Sequence, residues 1–308
     1  MARLLIKRLA VAALCWAVAG SAVADTAWPQ GRQGLTHQGL ARSYVVRLPA
    51  NAPPAGQRWP VVLVLHGGGG DAAITERTTS FTTVGQREGF VVVYPEGTGR
   101  LGNHLLTWNA GHCCGQALQR QVDDVGFIRR LIDALVATYP VDAKRFYATG
   151  ISNGGMMTHR LGIELPDKLA AIAPVVAALF GDEKKPAQGV SALMINGALD
   201  TSVPLAGGAP GGRFANAWDG AHPLPATAQA AFWAGANGCT GAPAVTTQAA
   251  VQRTRYRCPA GLDVELVVVA DHPHAWPGGV PGSRLGAKPS TALNATDEIW
   301  AFFKRHSR

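Results

Sequence analysis

Short runs of consecutive apolar residues constrain the fold of this chain more than any other feature. Residues 61–65 and 267–269 are apolar at every position, without the alternation of a strand that has one face in water. Such strands need cover on both faces, as in parallel sheets flanked by helices. Because the runs alternate with stretches of helical periodicity, we expect an α/β fold with a mostly parallel sheet and helices on both faces.

The predicted strands share β-branched and apolar side chains and cover residues 44–48, 61–65, 90–94, 145–149, 170–173, 192–196 and 264–269. The clearest helices are predicted over residues 123–139, with an aspartate cap and Pro140 at its end, and over residues 294–305. Residues 96–121 and 201–225 resist assignment. Both follow predicted strands, and long loops at the carboxyl ends of strands carry the sites of open α/β sheets.

The amino terminus has the form of a secretory signal. A basic start precedes the apolar residues 9–19, and Ala22-Val23-Ala24 follows. The apolar run is shorter than the roughly 20 residues of a membrane span. A lipoprotein signal ending at Cys15 is a weaker alternative, since Leu14 stands where a small residue is needed. We expect cleavage after residue 24, a secreted or periplasmic protein without a membrane anchor, and one domain over residues 25–308.

The formal charge of +8 falls by three when Arg3, Lys7 and Arg8 leave with the signal. The remaining basic residues form no clustered tract, so a nucleic-acid partner is not expected. Four cysteines remain after cleavage, and export favours disulfides. Cys239 and Cys258 flank a short loop before a strand and are predicted to pair. Cys113 and Cys114 then have only each other as partners. Their segment lacks the Cys-x-x-Cys spacing of zinc sites.

Residues 150–154 have the form Gly-x-Ser-x-Gly, between the strand-like residues 145–149 and the helical pattern of residues 156–163. A serine at such a turn has a strained backbone and an exposed Oγ. The flanking glycines are needed because a Cβ would clash with the neighbouring strand or helix. Ser152 is therefore a candidate nucleophile for carbonyl groups. With 37 glycines in the chain the pattern arises readily by chance, so the other parts of an acyl-transfer site are required.

A serine hydroxyl needs a base that takes its proton and an acid that fixes the tautomer of that base. In hydrolases built on such sheets the chain order is serine, acid, histidine. Asp200 follows the predicted strand 192–196 and is the best candidate acid. Two other aspartates lie in loops with no strand leading into them: Asp182 and Asp219. Two histidines follow the last predicted strand and are candidate bases: His272 and His274.

The tetrahedral intermediate of acyl transfer also needs backbone N–H donors for its oxyanion. The run His66-Gly-Gly-Gly-Gly-Asp71 directly follows the strand 61–65, and its glycines allow close approach of the backbone to a substrate. Gly68 is the predicted first donor, with Gly67 as the alternative, and Asn153 is the second. His66 is expected to be structural. Two tryptophans on the predicted site loops are candidate substrate contacts: Trp108 and Trp276.

In this order, these segments resemble the esterase family of extracellular polyhydroxybutyrate depolymerases and the related feruloyl and acetylxylan esterases. The matching segments spread over residues 43–305 and are Leu65-His-Gly-Gly-Gly-Gly-Asp71, Trp108-Asn-Ala-Gly111 with Cys113-Cys114, Val122-Asp-Asp-Val-Gly-Phe127, Gly150-Ile-Ser-Asn-Gly-Gly-Met156 and His274-Ala-Trp-Pro-Gly278. The resemblance implies an α/β-hydrolase fold and ester hydrolysis. It also implies that His274 is the base and that Asp200, which precedes Val203-Pro204, is the acid. One departure is Asp271-His-Pro273, where the family often has Gly-Gly-His.

The sequence thus predicts a serine carboxylic-ester hydrolase that needs no metal or organic cofactor. Its expected substrate is an ester, either a hydroxyalkanoate oligomer or a plant cell-wall ester. Because no binding module follows the predicted domain, soluble oligomers or small esters are favoured over crystalline polymer. Two alternatives use the same residues, namely amide cleavage of an anionic polymer such as polyaspartate and acyl transfer to a sugar hydroxyl. A catalytically silent binding protein is disfavoured because every chemical part is present.

Overall fold

A computed structural model describes residues 28–100, 102–212, 215–283 and 286–308. The predicted signal peptide, residues 1–24, lies outside the described residues. Within them, the strands are β1 (Gly31–His37), β2 (Leu40–Arg47), β3 (Trp59–Leu65), β4 (Val91–Pro95), β5 (Thr98–Gly99), β6 (Gly102–Thr107), β7 (Val141–Ile151), β8 (Ala171–Val175), β9 (Ser191–Gly197), β10 (Thr240–Gln248), β11 (Val251–Arg257) and β12 (Val264–Val269).

Ten strands of the described part of the chain form one sheet in the order β1-β2-β4-β3-β7-β8-β9-β12-β11-β10. The central strands from β4 to β12 are parallel to their neighbours. At each edge two antiparallel strands complete the sheet. The mostly parallel sheet expected from the sequence is confirmed, and its carboxyl edge collects the loops that follow β3, β4, β7, β9 and β12.

Helices cover both faces of this sheet, as predicted. They are α1 (Ala72–Thr79), α2 (Phe81–Glu88), α3 (Gly115–Gln119), α4 (Asp124–Thr138), α5 (Asn153–Glu164), α6 (Ala226–Ala236) and α7 (Ala295–Phe303). One apolar core joins the sheet to α4, α5 and α6, and a second core on the opposite face joins it to α1, α2 and α7. Every residue of β3 is buried, and successive side chains alternate between the two cores. The unbroken apolar run of this strand therefore reflects burial on both faces.

The two helices predicted most clearly from the sequence, α4 and α7, each begin after a residue whose side chain caps the helix. The carboxylate of Asp123 accepts the N–H of Gly126 at 2.8 Å and begins α4, while Asn294 accepts the N–H groups of Thr296 and Asp297 and begins α7. None of the described helices is both long and apolar enough to cross a bilayer.

Outside residues 96–121, the sequence prediction missed β1, β10 and β11. It also left out the first four residues of β2 and of β7. The segment between Cys239 and Cys258 is the β10–β11 hairpin and not a short loop, so that prediction is corrected. Their sulfur atoms lie 1.98 Å apart, at disulfide distance, and join the two ends of the hairpin.

The two unassigned stretches follow β4 and β9 and so lie at the carboxyl edge of the sheet, as expected. Residues 96–121 contain the small β5–β6 hairpin and α3. The described residues of the stretch 201–225 form irregular backbone and include a short 3₁₀ turn, Ala215–Ala217. Both stretches are therefore positioned by tertiary contacts rather than by long regular elements.

Candidate active site

Ser152 stands at the sharp turn between β7 and α5, near the centre of the sheet. Its backbone has φ 56° and ψ −124°, a conformation that side-chain-bearing residues rarely adopt. The N–H of Ser152 donates to the carbonyl of Val175 at 3.0 Å, and its own carbonyl accepts the N–H of Met156 at 2.8 Å. The turn thus holds the serine at the carboxyl edge of the sheet. Hydrogen bonds to β8 and α5 stabilise the strained backbone of Ser152.

The glycines on either side of Ser152 are required by space, as the sequence predicts. A Cβ on Gly150 would lie 2.6 Å from the carbonyl oxygen of Gly154 and 2.9 Å from the Cβ of Leu65. A Cβ on Gly154 would lie 2.3 Å from the carbonyl oxygen of His66. Two of these three contacts are to backbone oxygens, in α5 and in the residue that follows β3, rather than to the far end of a flexible side chain.

Gly154→Ala is therefore expected to lower the free energy of unfolding by about 3 kcal/mol or more, since the added methyl overlaps fixed backbone. Urea unfolding followed by circular dichroism measures the loss. Gly235→Ala is the matched control, because a Cβ at this helical glycine meets nothing within 4 Å and is expected to leave stability unchanged or slightly raised. An unchanged midpoint in Gly154→Ala would contradict the proposed tight turn.

Asp200 and His274 meet because their parent strands are neighbours. β9 and β12 are parallel and in register up to Gly197 and Val269, where both strands end. The loops that follow are tied together by two backbone bonds, from Ala198 N–H to the Val269 carbonyl and from Leu199 N–H to the His272 carbonyl, both 3.0 Å long. The sequence positions just after the two strands are thus brought side by side.

The three predicted side chains form one hydrogen-bonded chain. Nε2 of His274 lies 2.9 Å from Oγ of Ser152, and Nδ1 lies 2.7 Å from Oδ2 of Asp200. The other carboxylate oxygen of Asp200 accepts the N–H groups of Ser202 and Val203 at 2.8 and 2.9 Å. The Asp200 side chain is 1% exposed and that of His274 is 24% exposed. The acid is fixed beneath the surface, while the imidazole reaches the opening.

The two candidate bases, His272 and His274, have different contacts in the structure. His272 is fully buried, its Nδ1 accepts the N–H of Ser290 at 3.2 Å, and its Nε2 lies 3.0 Å from the carbonyl of Ala275. Burial lowers the pKa of His272 below its ordinary value. Both ring nitrogens therefore serve the loop backbone, which leaves His272 neither a base for Ser152 nor a metal ligand.

The aspartates that were weaker candidates for the acid lie elsewhere. Asp182 and Asp219 contact the imidazole of His112 at 2.9 and 2.8 Å and not that of His274. In the segment that departs from the family pattern, Asp271 accepts a hydrogen bond from the hydroxyl of Ser290 at 2.6 Å. The departure thus anchors the loop before His274 to residue 290.

Gly68 and Asn153 lie side by side next to Ser152. A Cβ on Gly68 would lie 3.7 Å from the Cβ of Asn153. Neighbouring residues of the glycine run are fixed by Gly69 N–H donating to the Leu106 carbonyl at 2.8 Å and by Gly70 N–H donating to the Gly67 carbonyl at 3.0 Å. Within the described residues the N–H groups of Gly68 and Asn153 have no intramolecular acceptor. They are available as an oxyanion-binding pair.

The side chain of Asn153 has a structural part that the sequence did not reveal. It is buried, its Oδ1 accepts the N–H of Trp108 at 2.8 Å, and its Nδ2 donates to the Trp108 carbonyl at 3.0 Å. The amide thus binds the start of α5 to the loop after β6.

The prediction that Trp108 contacts substrate is wrong. Its ring is fully buried and its indole N–H donates to the carbonyl of His66 at 3.0 Å. The His66 ring lies against it with centroids 4.9 Å apart, and burial lowers the pKa of His66 to about 4. Both residues support the glycine run from below, so His66 is structural as expected.

Trp276 is 2% exposed and donates its indole N–H to the hydroxyl of Thr296 at 3.0 Å. Its ring packs edge-on against Phe81 and also borders a cavity described below. A substrate contact by Trp276 therefore stays a prediction.

A cavity of about 280 Å³, called the first cavity, opens beside Ser152 and is bordered by Gly68, Asn153 and His274. Its remaining wall is largely apolar and includes Leu105, Cys113, Cys114, Val203, Ala217 and Trp218. Cys113 and Cys114, the second predicted pair, are bonded to each other and border this cavity. The first cavity gives an apolar group direct access to the hydroxyl of Ser152.

A second cavity of about 360 Å³ also borders His274 and is lined by Gly68, Ala275, Trp276 and Val280. Leu105 borders both cavities, is 61% exposed, and has φ 52°. Leu105 and Trp218 were missed because they lie in the two stretches without regular periodicity. Their positions depend on tertiary contacts of those loops and left no pattern in the sequence.

Comparison with known proteins assigns the family. Residues 42–212 match the family model described as esterase PHB depolymerase, and the chain belongs to this family. The match confirms the family predicted from the sequence, a family of carboxylic-ester hydrolases.

Curated relatives include feruloyl esterase B of Piromyces equi, 31% identical over 70% of this chain and 39% of that protein. Another is poly(3-hydroxyalkanoate) depolymerase C of Paucimonas lemoignei, 29% identical over 70% of this chain and 47% of that protein. The chain therefore spans less than half the length of either relative.

A solved structure with the same architecture is the acetyl xylan esterase from Aspergillus awamori. It matches with a TM-score of 0.62 and 14% identity over 89% of this chain and 99% of that one. At this identity the likeness concerns the fold alone, and it confirms the predicted α/β-hydrolase fold.

Proposed function

We propose that this protein hydrolyses carboxylic esters through an acyl-enzyme on Ser152. The observation that carries the proposal is the unbroken hydrogen-bonded chain from Asp200 through His274 to Ser152, with distances of 2.7 and 2.9 Å. This is the arrangement in which an imidazole removes the proton of a serine hydroxyl while a carboxylate holds its tautomer. The family assignment supports ester hydrolysis as the reaction.

In the first half-reaction Oγ of Ser152 bonds to the ester carbonyl carbon while its proton moves to Nε2 of His274. The carbonyl oxygen becomes an oxyanion next to the N–H groups of Gly68 and Asn153, which stabilise it by hydrogen bonds. The bond to the alcohol oxygen then breaks, and that oxygen takes the proton from Nε2. The products of this half are the free alcohol and the acylated Ser152.

In the second half-reaction water replaces the alcohol. His274 takes a proton from the water as its oxygen bonds to the acyl carbon, and the second tetrahedral intermediate uses the same two N–H donors. Breaking the bond to Oγ returns the proton from Nε2 to Ser152 and releases the acid. Asp200 stays ionised and hydrogen-bonded to Nδ1 throughout, so the chain is restored.

The two cavities differ in their relation to the nucleophile. Ser152, whose Oγ lies 2.9 Å from Nε2 of His274, borders the first cavity and is not among the residues that line the second. The acyl group therefore occupies the first cavity, which borders Ser152 and both N–H donors. The wall of this cavity is largely apolar, with Arg100 as a cation on it, and it suits an uncharged acyl group such as a hydroxyalkanoyl, feruloyl or acetyl group.

Our proposal includes export, with the signal removed after residue 24, because the substrates named for the curated relatives are polymers and cell-wall esters. The domain of residues 25–308 would then act in the periplasm or outside the cell.

A substrate panel tests the function. Purified protein is incubated with hydroxybutyrate oligomers, methyl ferulate, acetylated xylan and polyaspartate, and released acid is measured against Ser152→Ala protein. We expect acid release from at least one of the esters and none from polyaspartate. Hydrolysis of polyaspartate alone, or acyl transfer to sugar without release of acid, would overturn the proposed reaction.

A further inference from the structure

His112 is held between two carboxylates outside the hydrogen-bonded chain of Ser152. It precedes Cys113 in the loop after β6, and its Nδ1 lies 2.8 Å from Oδ2 of Asp219. Its Nε2 lies 2.9 Å from Oδ2 of Asp182. A neutral imidazole has one N–H, so only the protonated ring donates to both carboxylates. The geometry is that of an imidazolium bridging two loops.

This bridge is joined to the wall of the first cavity by further contacts. The ring of Phe180 packs against that of His112 with centroids 4.9 Å apart, and it lies edge-on to Trp218 at 5.7 Å. The N–H of Asp219 donates to the carbonyl of His112 at 3.2 Å, and Cys113 forms a β-bridge with Trp218. Trp218 and Cys113 in turn border the first cavity.

We propose that His112 is a positioning residue for the acyl group: by bridging Asp182 and Asp219 it fixes the segment that carries Trp218 and so tightens binding of long acyl chains in the first cavity. The proposal rests on the proposed ester hydrolysis and on the assignment of the acyl group to this cavity. A longer acyl group extends over more of the wall that Trp218 shares in, so the effect should grow with acyl length.

The charges around His112 favour its protonated form. Partial burial opposes the charge, but the hydrogen bonds and charges of Asp182 and Asp219 outweigh it and raise the pKa of His112 above its ordinary value. Other charged side chains border the hollow beside the ring, from α5 and from the loop of Asp182: Arg160, Glu164, Glu183 and Lys184.

Three of these four groups have partners of their own. Arg160 donates to Glu164 at 2.5 Å and to the carbonyl of Asn109, while Glu183 accepts the N–H groups of Phe180 and Gly181 at 2.6 and 2.8 Å. Lys184 is a cation and opposes protonation if it approaches the ring. The two aspartates are therefore the groups that hold the imidazolium.

The direction of the pH effect follows from the raised pKa. The bridge is complete below the ordinary pKa of histidine and is lost as the pH rises through the higher value in the folded protein. The ring is 29% exposed and the two carboxylates 68% and 42%, so each contact is screened by water. We expect the loss to raise KM for a long acyl ester about threefold, the effect of a partly exposed ion pair.

The test compares p-nitrophenyl octanoate with p-nitrophenyl acetate between pH 6 and pH 9. The ratio of their KM values removes the pH effects that both esters share. In the wild type the ratio should rise about threefold with pH. In His112→Gln it should be high at every pH, because the amide carries no charge. In His112→Arg it should stay low, because the guanidinium remains charged and can donate to both carboxylates.

His222→Gln, at an exposed histidine of the same stretch, is the matched control and should follow the wild type. A constant ratio in the wild type overturns the proposal, and this result needs no folded variant. So does a His112→Gln protein whose ratio still follows the pH like the wild type. If instead neither ester is hydrolysed by the wild type, the proposed function is wrong, which separates that failure from failure of the role of His112.

Discussion

Ser152→Ala is expected to lower kcat for p-nitrophenyl butyrate by about 10⁶, because no other hydroxyl takes its place next to Nε2 of His274. The residual rate comes from the oxyanion donors Gly68 and Asn153, which remain in position. The fold should be unaffected, since the bonds that hold the turn come from the backbone of residue 152 and not from Oγ. The change in kcat is measured from initial rates, with the protein concentration determined by absorbance.

The control for Ser152→Ala is Ser307→Ala, at an exposed serine near the carboxyl terminus, prepared and assayed in parallel. Thermal unfolding of both variants checks that loss of activity is not loss of fold. A Ser152→Ala protein that keeps more than a few per cent of the wild-type rate would contradict the assignment of the nucleophile.

Asp200→Asn is expected to lower kcat by about 10⁴ with a small change in KM. The asparagine carbonyl oxygen can still accept the N–H groups of Ser202 and Val203, so its NH₂ group then faces Nδ1 of His274. Nδ1 becomes an acceptor and the ring proton moves to Nε2, where it blocks removal of the proton of Ser152. The effect is one of tautomer and charge rather than of packing, because the two side chains have nearly the same shape.

Asp142→Asn is the control for this substitution, since Asp142 lies at the start of β7, away from the carboxyl edge, and its carboxylate accepts the N–H of Lys144. Steady-state kinetics on both variants at several pH values separates kcat from KM. A near-normal rate for Asp200→Asn would place the acid on another residue.

The central strands could be predicted because burial on both faces leaves a direct mark on the sequence. β3 contains the unbroken apolar run 61–65 and β12 the run 267–269, and the bounds of both strands were predicted to within two residues at each end. β10 could not be found in this way, since nearly all its residues are exposed and it holds both glycine and proline. β1 alternates weakly with half-buried residues, so its pairing depends on β2 more than on its own composition.

In the site, too, residues next to predictable strands could be found from the sequence and residues in irregular loops could not. Ser152, Asp200 and His274 could be named because each directly follows a predictable strand, and parallel strands bring their carboxyl ends together. The cavity walls could not, because Leu105 and Trp218 lie in loops whose course depends on the glycine run and on His112. Trp108 was misassigned for a related reason. Its place in a site loop was correct, but its N–H bond to the carbonyl of His66 turns the ring inward.

Trapping of the acyl-enzyme shows whether Ser152 is the nucleophile. Wild-type protein is mixed with p-nitrophenyl butyrate, quenched in acid within the first turnover and digested, and the peptides are examined by mass spectrometry. With Ser152 as the nucleophile, we expect one added butyryl group on the peptide that contains Ser152, and none in the Ser152→Ala protein. A butyryl group on another residue, or turnover without any acylated peptide at Ser152, would contradict it.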